Sequence, residues 1–162
     1  MCFLRLGRKS ELVAWLTIFG HDAPMFDHCL YFNTTALARV VEREWTQAFK
    51  PFGLTPPQAF MLRLILASPG LSQHQIASEL TISRPTATRL LDGLQALGLV
   101  ERRDAEHDAR HWSIHPTSEA RRSHEALNAA SGAVTRRIQQ QIGKETFLDT
   151  VGKVRTVCSA LK

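Results

Sequence analysis

Apolar positions recur at spacings of three and four along most of this chain, and at a spacing of two only between about 100 and 115. The first helical stripe is predicted over residues 27–49, with Leu30, Leu37, Val41 and Trp45 on one side and Val40 and Phe49 widening it. Pro51 and Gly53 end it. Thr55 then caps a helix with Pro56 in its first turn, and Phe60, Met61, Leu64 and Ile65 are expected to face inward as far as the Pro69-Gly70 break. A short helix follows, capped by Ser72 and striped by Ile76, Ala77 and Leu80. Thr81-Ile82 makes a turn, Ser83 caps the next helix, and Pro85 lies in its first turn. Ala87, Leu90, Leu91, Leu94 and Leu97 form its inner face, and Gly98 suits its stop.

The period then changes. Val100 and Arg102 alternate with Glu101 and Arg103, and Trp112 and Ile114 alternate with His111, Ser113 and His115. Residues 104–109 are too polar for a core and are expected to form a hairpin tip. From Thr117 a helix runs to about Ile142 on Leu127, Ala130, Val134 and Ile138. After Gly143 a last helix over 145–161 carries Phe147, Leu148, Val151, Val154, Cys158 and Leu161. Two terminal helices this apolar need a partner surface.

Capped helix, tight turn, capped helix and charged hairpin, in that order, describe a winged helix-turn-helix. The predicted fold class is therefore mainly α with a small β-hairpin wing, flanked by N- and C-terminal helices. The outer face of the second helix carries Arg84, Thr86, Thr88 and Arg89 near its N-terminus, side chains suited to reading base edges in a major groove. Either arginine could pair with guanine or sit on phosphate. Ser72, Gln73 and Ser83 lie at helix starts, where phosphate oxygens bind. In the wing, Arg110 is a candidate for a minor-groove or backbone contact, with Arg102 and Arg103 along the strand. Asp108 and Arg110 could also pair with each other and shape the hairpin.

LTISRPTATRLLDGLQALGLVERR followed by DARHWSIHPT resembles the MarR (multiple antibiotic resistance regulator) family of bacterial transcription factors. That family has a D-x-R pair in the wing, then a strand ending near a Thr that starts a long helix; Asp108, Arg110 and Thr117 match. GLTPPQAFMLRLIL matches the segment before the DNA-binding unit, and the likeness covers roughly residues 29 to 125. The chain departs from the pattern at the wing-to-helix junction, with Ala120 in place of the usual Gly and Pro116-Thr117 in place of Leu-Thr. The resemblance implies a homodimer whose N- and C-terminal helices interlock, bound to double-stranded DNA at a pseudo-palindromic operator. It also implies repression released by a small aromatic or phenolic molecule, or by an oxidant, acting where the dimer helices meet the winged unit. Tyr31, Phe32, Trp45 and Phe60 are the aromatics that could line such a pocket, though aromatics at helical spacing are more often core. Some relatives sense peroxides through a cysteine near the start of the first helix. Cys29 stands about two residues before that position, where this chain has Tyr31.

Composition narrows the rest. The net charge of +5 suits a nucleic-acid partner, but residues 71–112 hold five Arg against six acids, so the placement of the arginines carries the argument. No run of 18 apolar residues occurs, so no membrane span is expected. Three scattered cysteines (Cys2, Cys29, Cys158) fit a reducing cytoplasm better than a disulfide framework, and Cys158 is expected in the core. His111 and His115, roughly 13 Å apart on an extended strand, are too far apart to share an ion, and neither they nor His107 and His28 complete a ligand motif. No metal or other cofactor is expected. No phosphate loop, G-x-S-x-G or helix-borne carboxylate–His pair supports an enzyme.

The expected organisation is residues 1–24 as an extension with a short helix over 11–19, 25–54 as the N-terminal dimerisation helix, 55–117 as the winged unit, and 118–162 as C-terminal dimerisation helices. Met25 would make an alternative start. Two other readings stay open: a thiol-based redox switch using Cys29, and a winged-helix protein-interaction module without DNA binding.

Overall fold

The computed structural model describes residues 25–105 and 108–161, without the side chains of residue 105 and residues 108–111. The expected helix over 11–19, Cys2 and the status of residues 1–24 lie outside them. The chain divides into two compact units, residues 1–41 and 42–162. In the first, a turn precedes α1 (Leu30–Phe49), which begins three residues later than the stripe predicts. The Asn33 side-chain amide donates to the carbonyls of Phe26, Asp27 and Cys29 at 3.1, 2.9 and 2.9 Å, holding that turn against the helix start. Leu30, Leu37 and Val40 of this helix are exposed.

The second unit takes in the end of α1, where Phe49 is fully buried and Trp45 packs on the core edge. A 3-10 turn over Lys50–Phe52 leads to α2 (Pro56–Ala67), whose capping box joins Thr55 to Gln58. Met61 and Ile65 are buried as expected, but so are Leu62 and Leu66, while Phe60 is 39% exposed and Leu64 half-buried. The stripe gave the direction of burial and missed its width, because α2 is packed from several sides by other elements of this unit.

The winged unit is β1 (Leu71–Ser72), α3 (Gln73–Glu79), α4 (Arg84–Ala96), β2 (Val100–Ala105) and β3 (Asp108–Pro116). Its antiparallel sheet has the order β1-β3-β2, so a third strand joins the predicted hairpin. Two residues are too short to show a period, and Leu71 is recruited by pairing with Ile114. The strands reach further than polarity implied. Asp104 pairs with Trp112 and Ala105 with Asp108, so residues 104, 105, 108 and 109, expected in the hairpin tip, belong to the strands. Ladder bonds are made by backbone, and polar side chains on a solvated wing do not oppose them.

Thr117 ties the wing to α5 (Ser118–Ile142). Its N–H donates to Leu99 O at 3.1 Å, its hydroxyl donates to Gly98 O at 2.8 Å, and it accepts from the Ala120 N–H at 3.3 Å. The methyl of Ala120, where the family usually has Gly, is fully buried. Leu127 and Val134 are buried; Ala130 and Ile138 are half-buried. The last helix, α6 (Lys144–Ala160), buries no residue, and its Leu148, Val151, Val154 and Val157 are exposed. Cys158, expected in the core, is exposed on it, because α6 finds no cover for its apolar positions within one chain. Among the described residues no helix is long and apolar enough to cross a membrane.

Candidate nucleic-acid interface

Two caps start the two helices of the winged unit. Ser72 accepts from the Gln75 N–H at 3.3 Å while Gln75 Oε1 accepts from the Ser72 N–H at 2.8 Å, closing a capping box at α3. Ser83 accepts from the Thr86 N–H at 3.3 Å and starts α4, with Pro85 in the first turn. Between them Thr81 takes a left-handed backbone, φ 54. Ala87, Leu91 and Leu94 are buried and Leu90 packs against the core. Leu97, expected on that inner face, is 49% exposed. The helix ends at Ala96, so Leu97 is a capping residue and no longer follows the helical phase; Gly98, at φ 69, makes the stop.

With its inner face locked, α4 presents Arg84 and Arg89 outward. Among the described residues neither guanidinium makes a hydrogen bond or ion pair, so both are available to a ligand. The other predicted contacts are already engaged. Ser72 and Ser83 serve as caps, and Thr86 Oγ lies 2.8 Å from Ser83 Oγ. Thr88 donates to Arg84 O at 3.0 Å and accepts from Gln73 Nε2 at 2.7 Å, which braces α3 against α4. Arg102 donates to Asp92 Oδ1 on α4 at 2.5 Å, and Arg103 donates through Nε to Glu101 at 2.9 Å. Arg110 has its backbone on β3, but its side chain lies outside the described residues, as do those of Asp108 and His111 and the whole of His107.

The expected pocket aromatics separate. Phe32 stacks on Phe26 at 5.0 Å in the first unit, where Tyr31 is exposed. Trp45 and Phe60 meet in the second, 6.2 Å apart, with Phe49 edge-on to Phe60 at 5.8 Å. Sequence reasoning missed what lies beside them. The Arg63 guanidinium sits 5.5 Å from the Phe60 ring centre and donates to Asn128 Oδ1 at 2.7 Å and Ser131 Oγ at 2.9 Å. Trp45 Nε1 also donates to Ser131 Oγ, at 3.3 Å. Burial pushes the Arg63 pKa down from its ordinary value. Asp92 and the exposed Trp112 on the wing were missed as well, and only the i,i+4 spacing of Thr88 and Asp92 hinted that both face the wing. Cys29 is half-buried before α1, its Sγ accepting from the Phe32 N–H at 3.5 Å. His115 Nε2 lies 3.2 Å from Ser113 Oγ, and no group of three metal-ligating side chains occurs among the described residues.

The MarR-family sequence model matches residues 52–111, the span from the end of the 3-10 turn before α2 to the wing. Over that span the chain is similar to the MarR family. It is 32% identical over 91 residues to the uncharacterized HTH-type transcriptional regulator YwoH of Bacillus subtilis, a stretch that covers 56% of this chain and 66% of that protein, just under two thirds. It is 27% identical over 106 residues to the HTH-type transcriptional regulator MgrA of Staphylococcus aureus, covering 65% and 72%. Among solved structures, the S. aureus MepR–DNA complex matches with a TM-score of 0.73 and 21% identity, covering 81% of this chain and 97% of that one. The transcriptional repressor CouR, bound to a 23-mer DNA duplex, matches with a TM-score of 0.72 and 24% identity, covering 85% and 99%. At these identities the two structures show the fold alone: mainly helical, with a small winged sheet. Both curated relatives are named as HTH-type transcriptional regulators.

Proposed function

We propose that this chain is a cytoplasmic, homodimeric, sequence-specific DNA-binding regulator of the MarR family that represses transcription until an effector releases it. The observation that carries this reading is a pair of arginines, Arg84 and Arg89, unpartnered among the described residues and on the outer face of a helix whose inner face is locked into the core. The names of the relatives, and the DNA duplexes bound by two proteins of the same fold, support the same reading. The dimer is supported by α6, which buries nothing in one chain, and by the exposed leucines of α1. Two copies would present two α4 helices to successive major grooves, so the operator is pseudo-palindromic with half-sites roughly 34–36 Å apart.

The effector reading rests on Trp45, Phe60 and Arg63. An aromatic edge beside a cation with no carboxylate partner among the described residues suits a small aromatic acid. Release requires that such a ligand bind one spacing of the two α4 helices better than the other.

The test is binding to the region upstream of the chain's own gene across a salt series, for wild type and an Arg84→Ala/Arg89→Ala double variant. The double variant should lose about 30-fold or more in affinity, taking roughly 1 kcal/mol per arginine from the low end for base contacts. No selective, salt-sensitive binding by wild type to that region or to pooled genomic fragments would favour a protein-interaction module instead.

A further inference from the structure

Register puts Val100, Arg102 and Asp104 of β2 on the same face of the wing as Trp112, Ile114 and Pro116 of β3, since Arg102 lies opposite Ile114 and Asp104 opposite Trp112. Val100 and Ile114 are buried and anchor the root of the wing, and the Thr117 bonds to Gly98 and Leu99 reinforce it. Farther out this face leaves the core. It meets a groove of about 750 Å³ between wing and α4, lined by Thr88, Asp92, Gln95, Arg102 and Trp112 among others. Among the described residues a single side-chain bond joins the wing to α4 across that groove, from Arg102 Nη2 to Asp92 Oδ1 at 2.5 Å.

Resting on the DNA-binding reading above, the geometry points to Asp92 as a positioning residue. It holds Arg102, and through it the outer wing, at the angle from α4 that lets helix and wing engage adjacent grooves together. The lever is long. Ala105 is five steps along the strand from Val100, about 17 Å, so a pivot of about 10° at the root moves the outer wing by about 3 Å, the length of a hydrogen bond. Arg103 cannot substitute, because its partner Glu101 is on its own strand. The side chains of Arg102 and Asp92 are 29% and 54% exposed, so the pair adds little to folding stability. This role assigns Arg102 to the inside of the interface, as a link between two reading elements.

The sign of one substitution separates this from the ordinary electrostatic reading. Asp92 places a negative charge beside a face meant for phosphates, so its neutralisation alone would raise DNA affinity. The experiment uses the full chain and a duplex that wild type recovers from a random-sequence pool, with Tm measured for every variant. Asp92→Asn is expected to weaken binding roughly 3- to 30-fold, within the range of coupling between contacting residues, with an unchanged salt slope and Tm. The charge-reversed double variant, Asp92→Arg with Arg102→Asp, is expected to recover at least half of that loss on a logarithmic scale. Asp92→Asn binding as tightly as wild type or tighter overturns the proposal. So does a reversed pair no better than Asp92→Asn, or a loss of affinity that follows a fallen Tm. If wild type recovers no duplex at all, the DNA-binding reading falls and this proposal falls with it.

Discussion

Ser131 is the buried polar residue of the described chain, 6% exposed, and its replacement by alanine tests how the end of α1, α2 and α5 are joined. Its Oγ accepts from Arg63 Nη1 at 2.9 Å and from Trp45 Nε1 at 3.3 Å. The longer, neutral bond contributes about 0.5–1 kcal/mol, and the charge-assisted one about 1.5–3 kcal/mol. Arg63 keeps its bond to Asn128 and is partly solvated, so the lower part of the second range applies. Alanine regains about 0.5 kcal/mol of helix propensity over serine. The net expectation for Ser131→Ala is a destabilisation of about 1.5–2.5 kcal/mol. Urea unfolding at fixed protein concentration should show a lower midpoint with an unchanged slope, and Tm should fall by about 3–10 °C for a chain of this size. The companion variant is Arg63→Met. With the cation gone, removing Ser131 Oγ strands only the Trp45 N–H, so the two substitutions should be non-additive by about 0.5–1.5 kcal/mol. A Ser131→Ala midpoint equal to wild type, or strict additivity with Arg63→Met, would refute the assignment of Ser131 as the shared acceptor.

Leu94→Ala, at a fully buried position, should cost about 2–5 kcal/mol, while Leu97→Ala, three residues on and 49% exposed, should stay within about 0.5 kcal/mol in the same unfolding assay. Gly98 holds φ 69 with open space where a Cβ would go, so Gly98→Ala should lose about 1–2 kcal/mol from backbone strain alone, with no change in the core fluorescence of Trp45. Val151→Glu on α6 should convert a dimer into monomers in sedimentation experiments; an unchanged dimer would show that this face is not the interface.

The features that proved legible in the sequence act over three or four residues. Thr55, Ser72, Ser83 and Thr117 were readable as caps because a cap side chain bonds the backbone two or three positions later, whatever surrounds it. The glycine stop at 98 and the inner face of α4 followed from the same local geometry. Phe60 and Leu62 were misjudged because helical phase gives only a direction, and the arc that is buried depends on how many elements pack around the helix. β1 was invisible because its two residues become a strand only when β3 lies beside them.

The sequence by itself therefore determined a capped two-helix unit with arginines on its outer face, since those choices are made within one turn of chain. Which arginines remain available was decided by tertiary structure. Arg84 and Arg89 stand unpartnered among the described residues, while Arg102 is held by an aspartate ten positions earlier on another element. Ser131, 68 residues from Arg63 and 86 from Trp45, becomes their common acceptor only when helices distant in sequence dock. A charged side chain takes the partner that docking brings within about 3 Å, and no local pattern encodes that distance.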